Sequence, residues 1–109
     1  MPLSAIAAPT SDAVISKLRA HESELKAEGV LGVSLFGSVA RGSDHPNDID
    51  LAVRLASDFS KPGFAYFGRL EELEARFAGM LGARVDIVEE PVRKLRLQQQ
   101  IDRDRLRAF

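Results

Sequence analysis

The segment from Asp48 to Leu55 constrains this chain most. Ile49, Leu51, Val53 and Leu55 alternate with Asp48, Asp50, Ala52 and Arg54, the period-two pattern of a strand with one buried face. The apolar set fixes the phase, so Asp48 and Asp50 project side by side from the other face. Two carboxylates so placed repel each other, and one tends to take up a proton unless a cation lies between them. Mg²⁺ or Mn²⁺ suits hard oxygen donors and needs few from the protein, because water and phosphate oxygens complete the shell. A solvated strand face presents the same pair with no function, so its neighbours in the chain decide between the two readings.

Those neighbours form a regular series. Thr10, Ser11 and Asp12 are cap-type residues. They precede Val14, Ile15, Leu18, His21 and Leu25 at helical spacing, and Gly29 ends this helix. Val30 to Phe36 reads as a buried strand and runs into Gly37-Ser38, after which Val39-Ala40-Arg41 has room for one or two helical turns. Gly42 to Asn47 has loop chemistry. Ser60 and Pro62 open a long helix with an apolar stripe of Phe64, Phe67, Leu70, Leu73, Phe77 and Met80/Leu81, stopped by Gly82. Arg84 to Val88 is a third strand, and Pro91 begins a last helix that runs to the end. The expected fold is therefore α/β (α+β), a small mixed sheet of about three strands flanked by helices. Residues 1–10 are expected to form a flexible tail and residues 11–109 a single domain. A helix between strands two and three predicts parallel neighbours, which brings Asp86 beside the Asp48/Asp50 strand.

Gly37-Ser38, at a strand end before a helical turn, is chemistry suited to phosphate: glycine permits close approach and the Ser38 hydroxyl adds a donor. Alone it reads as an ordinary strand–helix turn, and Asp86 alone reads as an acid on an exposed strand face. Together, Leu35-Phe36-Gly37-Ser38-Val39-Ala40-Arg41-Gly42 followed by Asn47-Asp48-Ile49-Asp50-Leu51-Ala52-Val53 closely resembles the signature of polymerase-β-like nucleotidyltransferases. The size and the Ala-Arg-Gly after Gly-Ser resemble the smallest branch, the minimal nucleotidyltransferases (MNT), often antitoxins paired with a HEPN-domain toxin. The resemblance covers residues 30–90 by element order and is specific over 35–53 and 84–89. Nine residues separate Ser38 from Asp48, one fewer than the family pattern.

The resemblance implies a polymerase-β-like core and a metal-dependent transfer of AMP from ATP. It implies two divalent ions, Mg²⁺ or Mn²⁺, held by Asp48, Asp50 and Asp86, with Asp86 also helping to deprotonate the acceptor. It implies that Gly37 and Ser38 hold phosphates and that Arg41 faces the phosphates or a partner. The implied partner is a HEPN ribonuclease toxin in a hetero-oligomer, AMP-ylated on a tyrosine. A different class of function fits the same family: an antitoxin that neutralises its toxin by binding alone, its metal site vestigial. An unrelated α/β domain that matches by chance is the third reading. Metal-dependent ATP consumption separates the first two.

Bulk properties narrow the field further. The chain of 109 residues has no cysteine, which removes thiolate chemistry and cysteine–zinc sites. Its net charge of −1 gives no overall attraction to nucleic acid, and no direct nucleic-acid binding is expected. No apolar run reaches a membrane-spanning length of roughly 20 residues, and the apolar start lacks a basic leader region, so a cytoplasmic protein is expected. The last helix carries Arg93, Lys94, Arg96, Arg103, Arg105 and Arg107 against Asp102 and Asp104. It reads as a solvated face with Val92, Leu95, Ile101, Leu106 and Phe109 packed inward, or as a surface for an acidic partner or RNA. No aromatic residues interleave these charges, which argues against stacking sites for a single strand. His45 lacks a second histidine nearby, His21 reads as a partly buried helix residue, and Tyr66 as core or rim.

Overall fold

A computed structural model describes residues 9–42, 48–59 and 66–109. The elements run α1 (Ser11–Ala20), α2 (Glu22–Ala27), β1 (Val30–Phe36), α3 (Gly37–Ala40), β2 (Ile49–Leu55), α4 (Tyr66–Leu81), β3 (Val85–Glu89), α5 (Leu95–Asp104) and β4 (Leu106–Arg107). The strands form one mixed sheet in the order β3-β2-β1-β4. β1 pairs antiparallel with β2 and with β4, while β2 pairs parallel with β3. The α4 crossover produces that parallel pair, as the spacing of the elements predicts.

Alternation along the strands sorts the core into two layers. Val33, Leu35, Ile49, Leu51, Val53 and Val85 face one side, where they pack with Val14, Leu18, Leu25, Leu73, Phe77 and Leu81 of α1, α2 and α4. Phe36 and Ala52 face the other side, where Ile101 of α5 packs on them with Val88, Val92 and Leu97. The second layer is much smaller, so α5 covers only part of its face, and Asp50 and Asp86 belong to that face.

Local chemistry accounts for several boundaries. The Thr10 side chain accepts a hydrogen bond from the Ala13 N–H and caps α1. Gly82, with φ of 71°, ends α4 in the left-handed conformation. On α4, Glu74 accepts from the Ile87 N–H at 3.2 Å, capping part of the outer edge of β3. Tyr66 donates to Glu89 and pins the start of the same helix. Burial first, and Glu89 second, push the Tyr66 phenol up to about 12.

The structure departs from the sequence reading in four places. The first helix breaks at His21, whose backbone leaves the helical region at φ −108°, ψ 13°. The last helix starts at Leu95, with the Val92 N–H of the preceding turn donating to Gln98 Oε1, and ends at Asp104, where the Arg105 backbone turns to φ −53°, ψ 124°. Leu106–Arg107 then forms a fourth strand on β1, fastened by Arg19, which donates to the Ala108 and Arg107 carbonyls at 2.9 and 3.3 Å. Phe67 and Leu95, read as inward-facing, are 74% and 70% exposed, and Leu106 is 38% exposed. Ser60, Pro62, Phe64, His45 and the Pro46-Asn47 end of the loop lie outside the described residues, as do residues 1–8 of the tail. Among the described residues no helix is long and apolar enough to cross a membrane.

Candidate active site

β2 carries Asp50 and β3 carries Asp86, and the parallel register sets them directly opposite each other. Asp48 lies two residues before Asp50, just ahead of the strand, with Arg84 Nε 3.8 Å from its Oδ1. On the other side of β2, Asp50 pairs with Phe36, the last residue of β1. The next residue is Gly37, with φ of +79°. A Cβ there would overlap Asp50 Oδ2 and lie 3.2 Å from its Cγ, so only glycine lets the Gly37-Ser38 turn stand this close to the carboxylate. The sheet register thus brings the turn, Asp50 and Asp86 to one end of one sheet face, with Asp48 at its margin.

The electrostatics there are unbalanced. Burial first, then the charges of Asp86 and Asp48, push the Asp50 carboxyl above the ordinary aspartate range, and Arg41 only partly offsets them. A divalent cation is the group that relieves such repulsion, and the donors present are all hard oxygens, so the residues fit Mg²⁺ or Mn²⁺. Among the described residues no three acidic or histidine side chains converge into a preformed cation cage. Mg²⁺ commonly binds through one or two carboxylates and completes its shell with water and substrate phosphate.

Arg41 caps α3 and its guanidinium turns toward α5, where Nη1 donates to Asp104 Oδ2 at 2.8 Å. The sequence reading missed Asp104, which it placed among the charges of a solvated face. No signal in the sequence marked it: its place as the last residue of α5, where an acid opposes the helix dipole, and its 4% exposed side chain emerge only in the structure.

The other end of the same sheet face is built differently. Arg105, read as part of the basic helix face, follows α5 and turns inward. It donates from Nη1 to Glu90 Oε1 at 2.9 Å and from Nη2 to Glu90 Oε2 at 2.5 Å. It also donates to the buried Ser34 hydroxyl at 2.9 Å. Gln98 donates to the same Glu90 at 2.8 Å. Arg105 above all holds the Glu90 carboxyl below its ordinary range, against the opposing effect of burial. A cavity of about 730 Å³ opens beside this network over the small residues Gly32, Ser34 and Ala52. Asp48, Asp50 and Asp86 do not line it.

Comparison with known proteins places this geometry in a class. The family model "Polymerase beta, Nucleotidyltransferase" matches residues 21–106. A candidate minimal nucleotidyltransferase of known structure is 30% identical with a TM-score of 0.68, over 89% of this chain and 94% of that one. A toxin–antitoxin complex with AMP-PNP is 26% identical with a TM-score of 0.62, over 87% of this chain and 72% of that one. A Shewanella oneidensis MNT antitoxin complex with a tri-AMPylated HEPN toxin is 22% identical with a TM-score of 0.57, over 87% of this chain and 71% of that one; this likeness is one of fold. No curated protein matches. The chain belongs to the polymerase beta nucleotidyltransferase family. Its fold and size match the minimal nucleotidyltransferases within it.

Proposed function

We propose that this protein is the antitoxin of a HEPN/MNT-type pair and moves AMP from ATP to a hydroxyl of its HEPN partner. The single observation that carries the reading is the in-register pairing of Asp50 with Asp86 beside the Gly37 turn. Similarity to a toxin–antitoxin complex containing an ATP analogue supports both the nucleotide and the partner.

In this reading Gly37 and Ser38 receive the triphosphate, and Arg41 faces its phosphates. Asp48, Asp50 and Asp86 hold two divalent ions, which when bound lower the pKa of the acceptor hydroxyl and neutralise the departing pyrophosphate. The acceptor oxygen forms a bond to the α-phosphorus, the bond from that phosphorus to the α–β bridging oxygen breaks, and pyrophosphate leaves. Asp86, at the open edge of the pair, accepts the hydroxyl proton. The protein partner presents the acceptor.

The test is to incubate the chain with ATP, Mg²⁺ or Mn²⁺ and the HEPN protein encoded beside it, then read the partner's mass. One or more AMP adducts are expected, absent with Asp48→Asn and Asp50→Asn. No adduct and no metal-dependent ATP consumption, with the toxin still neutralised, would establish an antitoxin that acts by binding alone.

A further inference from the structure

We infer that Asp104 is a positioning residue for the nucleotide site: it holds the Arg41 guanidinium in place to meet the triphosphate. This rests on the nucleotidyltransferase reading above and adds a residue of α5 to it.

Asp104 is the last residue of α5, and its position there is unfavourable by local rules. The free carbonyls of a helix C-terminus repel negative charge, and the side chain is 4% exposed. What stabilises it is tertiary. Arg41 Nη1 donates to Oδ2 at 2.8 Å, and Arg103 Nε lies 3.5 Å from Oδ1. Burial would raise the Asp104 carboxyl, yet these hydrogen bonds hold it below the ordinary range. The pairing is asymmetric. Asp104 is enclosed, whereas the Arg41 side chain is 51% exposed, so one edge of the guanidinium is tied down and the rest faces out.

The position of Arg41 gives the tie its purpose. It ends a four-residue helix that begins at the Gly37-Ser38 turn, and its charge reaches Asp50. An untethered arginine there would be a long, freely rotating side chain, and ordering it on a phosphate would cost entropy at the moment of binding. Asp104 pre-orders it. A latch that merely docks α5 is a poor account of the contact, because α5 is already held by Ile101 against Phe36 and Ala52, and the residue that follows it by Arg105 on Glu90.

The experiment measures binding of AMP-PNP with Mg²⁺, and separately of AMP, by calorimetry on the full chain, with thermal melts to confirm folding. Asp104→Asn is expected to weaken AMP-PNP binding about five- to tenfold, the size of a typical coupled pair, and to leave AMP within about twofold. Asp104→Glu is expected to restore part of the loss. Arg41→Ala and Arg41→Ala/Asp104→Asn are expected to bind AMP-PNP equally, because Asp104 acts through Arg41. Unchanged or tighter AMP-PNP binding by Asp104→Asn overturns the proposal and leaves the nucleotidyltransferase reading standing. A further loss in the Arg41→Ala background, or an equal loss for AMP, overturns it too, since either shows a general structural role. If the unaltered chain binds no AMP-PNP, both readings fall.

Discussion

The two ends of the sheet face partly covered by α5 use the same kinds of charged residue and balance them in opposite ways. At the Glu90 end a carboxylate meets a bidentate arginine, a glutamine amide and, through the arginine, a buried hydroxyl. Among the described residues no buried side-chain polar atom lacks a partner. At the Asp50 end the charges of Asp86 and Asp48 bear on the Asp50 carboxyl, Arg41, tied by one edge to Asp104, offsets them only in part, and Arg84 lies beside Asp48. The first arrangement stabilises the fold. The second stores repulsion that the fold tolerates, as sites built for a cationic ligand do. Two polar patches on one sheet therefore differ in how their charge is balanced, one neutralised within the fold and the other left with an excess of negative charge.

This contrast is open to direct attack. The largest effect is expected from Asp50→Asn, which should reduce transfer to the HEPN partner to background while raising the melting temperature of the metal-free chain. The sign follows from the shift: a carboxyl raised in the folded state favours folding at low pH, and that contribution is lost as pH rises through its folded pKa. The melting-temperature gap between the asparagine variant and the unaltered chain should therefore widen from about pH 4 towards neutrality. An equal or lower melting temperature at neutral pH would mean that the acidic end is not strained.

Gly37→Ala should damage both properties. The left-handed backbone costs an alanine about 1 kcal/mol, and the new methyl must displace the Asp50 carboxylate. Transfer should fall more than about tenfold, with a modest drop in melting temperature, read by adduct mass and thermal melts.

At the balanced end the effect is on stability alone. Arg105→Ala leaves Glu90, whose side chain is 10% exposed, without its main partner. A loss of about 2 kcal/mol in denaturant melts is expected, with nucleotide binding kept within about twofold. A variant that loses binding and keeps stability would reverse the assignment of the two ends.

The smallest effect is the acid limb of the unaltered chain. Glu90 and Asp104 are both lowered in the folded state, so their contributions are present above the ordinary carboxylate range and lost as pH falls below about 4. Arg105→Ala should flatten that limb in a pH series of melts.

The sequence by itself determined what is local. Alternation from Ile49 to Leu55 sets the strand phase, because apolar side chains must leave water, and this alone turns Asp50 to the other face, with Asp48 just ahead of the strand. The buried run Val30 to Phe36 and the Gly37-Ser38 turn are legible for the same reason, as is the crossover that makes β3 a parallel neighbour. The tertiary structure decided what depends on partners distant in the chain. Leu106–Arg107 is too short to show a period and becomes a strand only because β1 has an unpaired edge. Arg41 and Asp104 are 63 residues apart, and Arg105 and Glu90 are 15 apart. A charge carries no mark in the sequence of which opposite charge it will meet, so their pairing, and with it the difference between the strained and the balanced end, exists only once α5 has crossed the sheet.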